Sequence, residues 1–354
     1  MHHSHAEHTA NRRDRLRPTV HLLLGLGLTT AWLAAAEIPQ VEISNGQLRA
    51  QLFLPDANHG FYRGTRFDWS GVIGRLEYRG HNYYGPWFDR RDPQVSDYIY
   101  SGQEIIAGPC SAITGPVEEF QTRGTALGWD EAQPGETFVK IGVGVLRKDA
   151  APYHFARLYE MADPGKWTVK TEPDAVDFTH ELMDPRSGYG YAYHKTVRLA
   201  PGKPELVLEH RLKNTGRRAI TGTVYNHNFL VLDRQAPGPD FKISVPYPIE
   251  PAPLADPTQA AIRGNQLVYL KPLRGEDRVQ TVLKGFSSNP RDHEIRIENS
   301  QAGAGLKITG DRPLSHLAYW SIRTVLAVEP FIAMAIDPGQ EFTWQTTYEY
   351  YTTR

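Results

Sequence analysis

From Val41 onward, hydrophobic and polar positions alternate with period two. No segment of twelve or more residues carries an apolar stripe at i, i+3, i+4, i+7. Short runs rich in Val, Ile, Tyr, Phe and Thr recur, as in residues 47–54 (QLRAQLFL), 137–147 (TFVKIGVGVLR) and 205–212 (ELVLEHRL). Residues 219–232 (AITGTVYNHNFLVL), 294–298 (EIRIE) and 341–350 (EFTWQTTYEY) continue the series. Reversal chemistry separates the runs: Asn45-Gly46, Pro201-Gly202, Asn214-Thr215-Gly216, Gly264-Asn265 and Asp337-Pro338-Gly339. The pattern predicts about fifteen or more strands joined by short turns, and therefore antiparallel pairing. One open sheet of that size would curl or split, so the predicted fold class is all-β, a large antiparallel β-sandwich. The Pro-dense residues 236–257 have strand patterns on both sides and read as a long loop within one domain.

The start of the chain departs from this pattern. A basic segment, residues 12–17 (RRDRLR), precedes the apolar residues 20–33 (VHLLLGLGLTTAWL) and then Ala34, Ala35 and Ala36. Basic start, short apolar stretch and small-residue end describe a secretory signal peptide. The apolar run is shorter than the ~20 residues of a spanning helix. Residues 1–36 are thus expected to be a signal peptide with an N-terminal extension, and residues 37–354 a single domain in the periplasm or outside the cell. No stable membrane span is expected after cleavage. His2, His3, His5 and His8 lie ahead of the signal and belong to an over-long start rather than to a metal site.

Composition narrows the chemistry. With 39 basic and 40 acidic side chains and a formal net charge of −1, nothing draws the chain to nucleic acid. The single cysteine, Cys110, excludes an intrachain disulfide and a thiolate metal cluster. The 31 Gly and 26 Pro residues are the punctuation of many short strands. No phosphate-binding loop, dinucleotide fingerprint, serine-hydrolase elbow or H-E-x-x-H is present. Neither a cofactor nor a metal is expected.

Three places hold residues that sit poorly as plain core. In residues 223–233 (TVYNHNFLVLD), strand alternation puts Tyr225, His227 and Phe229 on one face and Asn226 and Asn228 on the other. Three polar groups in mid-strand need partners if buried. Glu329 is a lone carboxylate in the apolar residues 324–336 (TVLAVEPFIAMAI). Burial would raise its pKa toward the range of a general base; pairing with Arg323 is the structural alternative. Residues 58–70 (NHGFYRGTRFDWS) combine His59, Arg63, Arg66, Asp68 and Trp69, with Tyr83, Tyr84 and Trp87 nearby. Guanidinium forks and aromatic faces suit sugar hydroxyls and C–H faces, and equally suit an ordered surface loop. The pair Glu118-Glu119 and the set Tyr189, Tyr191, Tyr193 and His194 are further cleft candidates.

Residues 206–229 (LVLEHRLKNTGRRAITGTVYNHNF) and 328–350 (VEPFIAMAIDPGQEFTWQTTYEY) resemble the aldose 1-epimerase (galactose mutarotase-like) superfamily. The first resembles its strand, Asn-Thr-Gly turn and His-bearing strand. The second resembles its strand-borne Glu, Pro-Gly turn and last aromatic strand. The resemblance implies a mutarotase-like supersandwich acting on a sugar or glycan. In that reading His227 donates a proton to the sugar ring oxygen and Glu329 accepts one from the anomeric hydroxyl. His59, Arg63, Arg66, Trp87, Glu119, Tyr193, Asn226 and Asn228 are the expected substrate-binding residues. The superfamily also carries an H-G-x-x-R histidine after several strands. Here His59-Gly60-Phe61-Tyr62-Arg63 spells that pattern early, and residues 115–120 (GPVEEF) stand at the later place. Either the early loop reaches the site or an acidic residue substitutes. The fold also serves polysaccharide lyases, glycoside hydrolase domains and non-catalytic carbohydrate binders, which remain the alternatives.

Overall fold

A computed structural model describes residues 37–353; the expected signal peptide lies outside the described residues. Strand follows strand through them, broken only by two three-residue 3-10 turns, Leu232–Arg234 and Pro290–Asp292. The period-two pattern is thus realised as 25 strands among the described residues, in two large sheets and three small ones. Pairing is antiparallel throughout except between Arg90–Arg91 and Glu104–Ala107.

The larger sheet has ten strands and the smaller five. Gly190–Leu199, Glu205–Asn214 and Glu341–Thr352 run side by side in the middle of the ten-stranded sheet. The five-stranded sheet runs Arg278–Val282, His316–Ile322, Val325–Ile336, Ile220–Phe229, Gly115–Gln121. The two meet face to face. Val224, Ile332 and Met334 of the smaller sheet pack with Tyr191, Leu212 and Trp344 of the larger. Leu317, Tyr319 and Val328 pack with Leu208, Leu306 and Tyr348. Alternation leaves the other face of the five-stranded sheet to be covered by loops from the first half of the chain, and the cavity described below lies there.

Two stretches differ from the sequence expectation. Residues 137–147 form a hairpin, Thr137–Lys140 with Gly144–Arg147, not one strand. Gly142 turns the chain with φ +75°, and its N–H donates to the Tyr191 hydroxyl at 3.1 Å. The Pro-dense region contributes a strand, Phe241–Ser244, inserted between Glu294–Asn299 and Gln266–Tyr269. Prolines flank that strand on both sides without entering it, so its ladder keeps every N–H.

Gly142 gives a test of this arrangement. A Cβ there would lie 2.6 Å from Asp68 Oδ1 on a left-handed backbone. Gly142→Ala should lower unfolding stability by about 1–3 kcal/mol, read as a lower urea midpoint at unchanged m-value.

Candidate functional site

The register of the smaller sheet brings His227 and Glu329 together. Strands Ile220–Phe229 and Val325–Ile336 pair with Tyr225 opposite Phe331, and Leu230 bridges Leu326 in the same frame. Between those two points the frame sets Asn226 against Pro330, His227 against Glu329 and Asn228 against Val328. Pro330 has no N–H to give, so the regular ladder is open at that level. The Asn228 side chain spans the gap by donating to the Val328 carbonyl at 2.8 Å. Side chains of directly opposed residues share a face, and His227 Nε2 lies 3.2 Å from Glu329 Oε1.

Both groups are nearly dry, with side-chain exposures of 6% and 13%. Burial lowers the His227 pKa well below 6.5, and the charge of Arg66 pushes the same way. Burial raises the Glu329 pKa to about 7 against the opposing pull of Arg66. Each shift favours a neutral group, so below pH 7 the pair holds its one proton on Glu329. The imidazole lies flat on Phe229, centroids 3.8 Å apart, and is met edge-on by Phe67 at 5.7 Å. Its Nδ1 is buried without a hydrogen-bond partner.

The pair forms the floor of a cavity of about 350 Å³. Its walls are largely aromatic: Trp87, Tyr98, Phe155, Trp320 and Phe331. Arg66, Gln121, Gln280 and Arg278 supply polar groups. Such a space suits a ligand with apolar faces and many hydroxyls. Arg66 is clamped between Phe67 and Phe155, 4.3 Å from each ring centroid. Its Nε donates to Glu119 Oε2 at 2.8 Å. Glu119 also accepts from Tyr225 OH at 2.5 Å and Lys140 Nζ at 3.1 Å. Burial opposes its charge, but Lys140 and Arg66 outweigh it and hold the carboxyl down at about 2.

Glu118, the neighbour of Glu119, points through the other face of the strand into the space between the sheets. It is fully buried, pairs with Lys195 and meets His210 Nε2 at 2.9 Å. Asn226 Nδ2 donates to it at 2.8 Å. Lys195 Nζ also donates to the Ser70 carbonyl at 2.9 Å and lies 3.7 Å from Asp68 Oδ2, which accepts from Tyr193 OH at 3.2 Å. Burial alone would keep Glu118 protonated; Lys195 and His210 reverse that and lower its pKa.

Comparison of the whole chain with solved structures finds the same architecture. The Slr1438 protein from Synechocystis sp. PCC 6803 matches with a TM-score of 0.52 and 13% identity, over 92% of this chain and 100% of its own. A candidate aldose 1-epimerase from Escherichia coli K12 matches at 0.51 and 12% identity, over 89% and 99%. A galactose mutarotase related enzyme from Lactobacillus acidophilus matches at 0.50 and 12%, over 89% and 98%. The fold is the galactose mutarotase-like sandwich. No family model matches the chain, and no curated protein matches it in sequence.

Within the mutarotase-like frame, the residues expected from sequence divide by position. His227, Glu329, Arg66 and Trp87 line one cavity. Trp87 is fixed there by an N–H bond to the Ile113 carbonyl at 3.0 Å and by parallel contact with Phe229. Glu119 stands behind the wall, saturated by Arg66, Tyr225 and Lys140, and acts on the cavity through Arg66 and Tyr225. Three expectations are corrected by strand alternation: Asn226, Asn228 and Tyr193 face the inter-sheet core. There Asn228 Oδ1 accepts from Tyr348 OH at 2.8 Å. His59 and Arg63 do not reach the cavity either. Both are exposed, and Arg63 lines a separate surface cavity with Phe61 and Arg91, its guanidinium donating to the Asn58 carbonyl. Of the two alternatives for the missing histidine, the early loop is thus the one that fails to reach. Arg323 is not the partner of Glu329; it donates to the Gly275 and Gln103 carbonyls. Tyr98, Phe155, Arg278, Gln280 and Trp320 were not anticipated. Gln280 and Trp320 are cross-strand neighbours, so strand alternation was their only available signal. Among the described residues, no group of three or more His, Cys, Asp or Glu is arranged to hold a metal ion. No described helix is long and apolar enough to cross a membrane.

The buried pair behind the site is open to a direct test. Lys195→Met strands Glu118 without its ammonium and should destabilise the fold by about 3–5 kcal/mol. Adding Glu118→Gln removes the stranded charge, so the double variant should recover part of that loss in denaturant titrations.

Proposed function

We propose that the protein is an exported aldose 1-epimerase, interconverting the α and β anomers of a sugar. One observation carries the reading: His227 Nε2 and Glu329 Oε1, both nearly buried, lie 3.2 Å apart and line one largely aromatic cavity. Ring opening of a pyranose removes a proton from O1 and delivers one to O5. Both oxygens are bonded to the anomeric carbon, so two groups in mutual contact can reach both.

The chemistry follows from the single proton the pair shares. Its transfer from Glu329 to His227 across the contact yields a carboxylate base and an imidazolium acid. Glu329 then accepts the O1 proton while His227 donates to O5, the C1–O5 bond breaks, and the open-chain aldehyde forms. Rotation about C1–C2 presents the other carbonyl face. Closure returns both protons with the roles exchanged and regenerates the carboxylate and imidazolium, and transfer of the shared proton back to Glu329 restores the starting pair. Aromatic walls hold the sugar's C–H faces, and Arg66, fixed by Glu119, offers its remaining N–H groups to hydroxyls. The single-thiol composition and the leader pattern support action outside the cytoplasm, with a mature N-terminus at Glu37. Mass spectrometry of the chain recovered from a secreting host should find that terminus.

Proton NMR of freshly dissolved α-aldoses should show faster approach to anomeric equilibrium with the protein than without it. Failure across a panel of hexoses and pentoses, with the protein folded, removes the assignment. His227→Ala and Glu329→Gln should each lower kcat by about 10²–10⁴-fold. The active pair holds one proton. A raised Glu329 pKa therefore means that kcat/KM falls as pH rises through about 7. The depressed His227 pKa means that activity persists well below pH 6.5 before the second proton binds. A profile still rising above pH 8 would contradict this scheme.

A further inference from the structure

A second cavity, of about 410 Å³, adjoins the catalytic one, and Tyr98 and Arg278 line both. Its other walls include Tyr100, Asp256, Gln259, Glu276 and Asp277. Tyr98 belongs to the aromatic wall of the catalytic cavity, with ring centroids 5.6 Å from Trp87 and 5.8 Å from Trp320. It meets Tyr100 edge-on at 5.8 Å, so one aromatic surface continues from the first cavity into the second.

Polar groups in the second cavity are held in place yet incompletely used. Gln259 is 3% exposed, and its Nε2 donates to Asp277 Oδ1 at 2.8 Å and to Asp256 Oδ2 at 3.3 Å. That fixes the amide plane and leaves Gln259 Oε1 buried with no partner. Tyr100 OH is likewise buried without a partner. A buried acceptor and a buried hydroxyl, both unsatisfied, cost free energy unless a ligand's donors reach them. Asp277 is braced by the Arg274 N–H at 3.0 Å and Asp256 by the Thr258 N–H at 2.8 Å.

We propose that this second cavity is a sugar subsite, and that the substrate is a neutral oligosaccharide whose reducing end occupies the catalytic cavity. This rests on the epimerase reading for the first cavity. Fixed acceptors match the hydroxyl donors of a pyranose, and Tyr98 and Tyr100 offer faces for its C–H bonds. Three carboxylates against Arg278 disfavour a uronic acid or phosphorylated unit at the second position. Reaction at the anomeric carbon consumes no bond of the second unit, so the chemistry is unchanged and only binding is added.

The test compares glucose with maltose, cellobiose and gentiobiose, and galactose as an unlinked control, by calorimetry and by anomer-resolved NMR. At least one disaccharide should bind about tenfold more tightly than glucose, the gain expected of one or two added hydrogen bonds. Gln259→Met and Tyr100→Phe should each remove about three- to tenfold of that gain while leaving glucose binding and turnover unchanged. If either variant melts early, the exposed Glu276→Gln replaces it. Disaccharides that bind no better than glucose, or a gain that survives all three substitutions, overturn the subsite. Binding is read separately from turnover, so a protein that binds disaccharides without epimerising any sugar would defeat the epimerase reading and leave the subsite standing.

Discussion

Two consecutive carboxylates on one strand face opposite ways, and the site depends on both being neutralised where no water reaches. Glu118 is turned into the space between the sheets and Glu119 toward the cavity, each buried to 1% exposure or less. A lone buried carboxylate would take up a proton or unfold its surroundings. Here Lys195 and His210 meet the first, and Lys140, Arg66 and Tyr225 meet the second. The inward set ties strands of the larger sheet to the Glu118 strand and, through Asn226, to the His227 strand. The outward set fixes Arg66 and Tyr225 at the cavity wall. The backbone of residues 118–119 is thereby held from both sides, and its pairing with residues 225–226 fixes the position of the next residue, His227.

That bracing explains how the fold tolerates an apolar bed under the His227–Glu329 pair. His227 rests on Phe229 and Phe67, surroundings that offer its Nδ1 nothing, while its Nε2 lies in contact with the Glu329 carboxyl. Desolvation drives both toward neutrality, and Arg66 alone would favour the carboxylate. Because Arg66 is already paired to Glu119, its field at Glu329 is partly cancelled; Glu119 itself pushes the Glu329 pKa upward. The charged Glu119–Arg66 pair thus leaves the Glu329–His227 pair in its neutral form below pH 7. The consequence is a contrast among four ionisable groups: Arg66 and Glu119 are held charged, His227 is held neutral, and Glu329 alone is raised to about 7.

Fold class, the main turns and the two central residues were legible because each rests on a local signal. Strand alternation and Gly/Pro punctuation need no tertiary information. His227 and Glu329 stood out because an imidazole between asparagines and a lone carboxylate in an apolar run are costly to bury without reason. The same logic misassigned Asn226 and Asn228: polarity marked them as unusual, but the face they occupy serves the inter-sheet network. Alternation already separated them from His227, and that separation was the better guide. Tyr193 failed for the same reason, its hydroxyl being engaged by buried Asp68. His59 and Arg63 matched a motif by spacing alone, and their loop folds onto the surface beside Phe61. The unanticipated walls, Tyr98, Phe155, Arg278 with Gln280, and Trp320, come from four segments far apart in the chain, and no local pattern links Phe155 or Arg278 to His227.

Pro330 shows how a single residue converts sheet regularity into a site. A complete ladder between the His227 and Glu329 strands would lock both backbones into uniform pairing. Placing a residue without an N–H opposite Asn226 opens the ladder one level away from where the His227 and Glu329 side chains face each other. Asn228 then recovers the Val328 carbonyl from the far side, so the opening leaves that acceptor satisfied. Tyr348 in turn fixes the Asn228 amide from the larger sheet. The inward-facing asparagines, turned away from the cavity, are therefore positioning residues: they hold an irregular strand pair in register so that the outward-facing imidazole and carboxylate meet at contact distance.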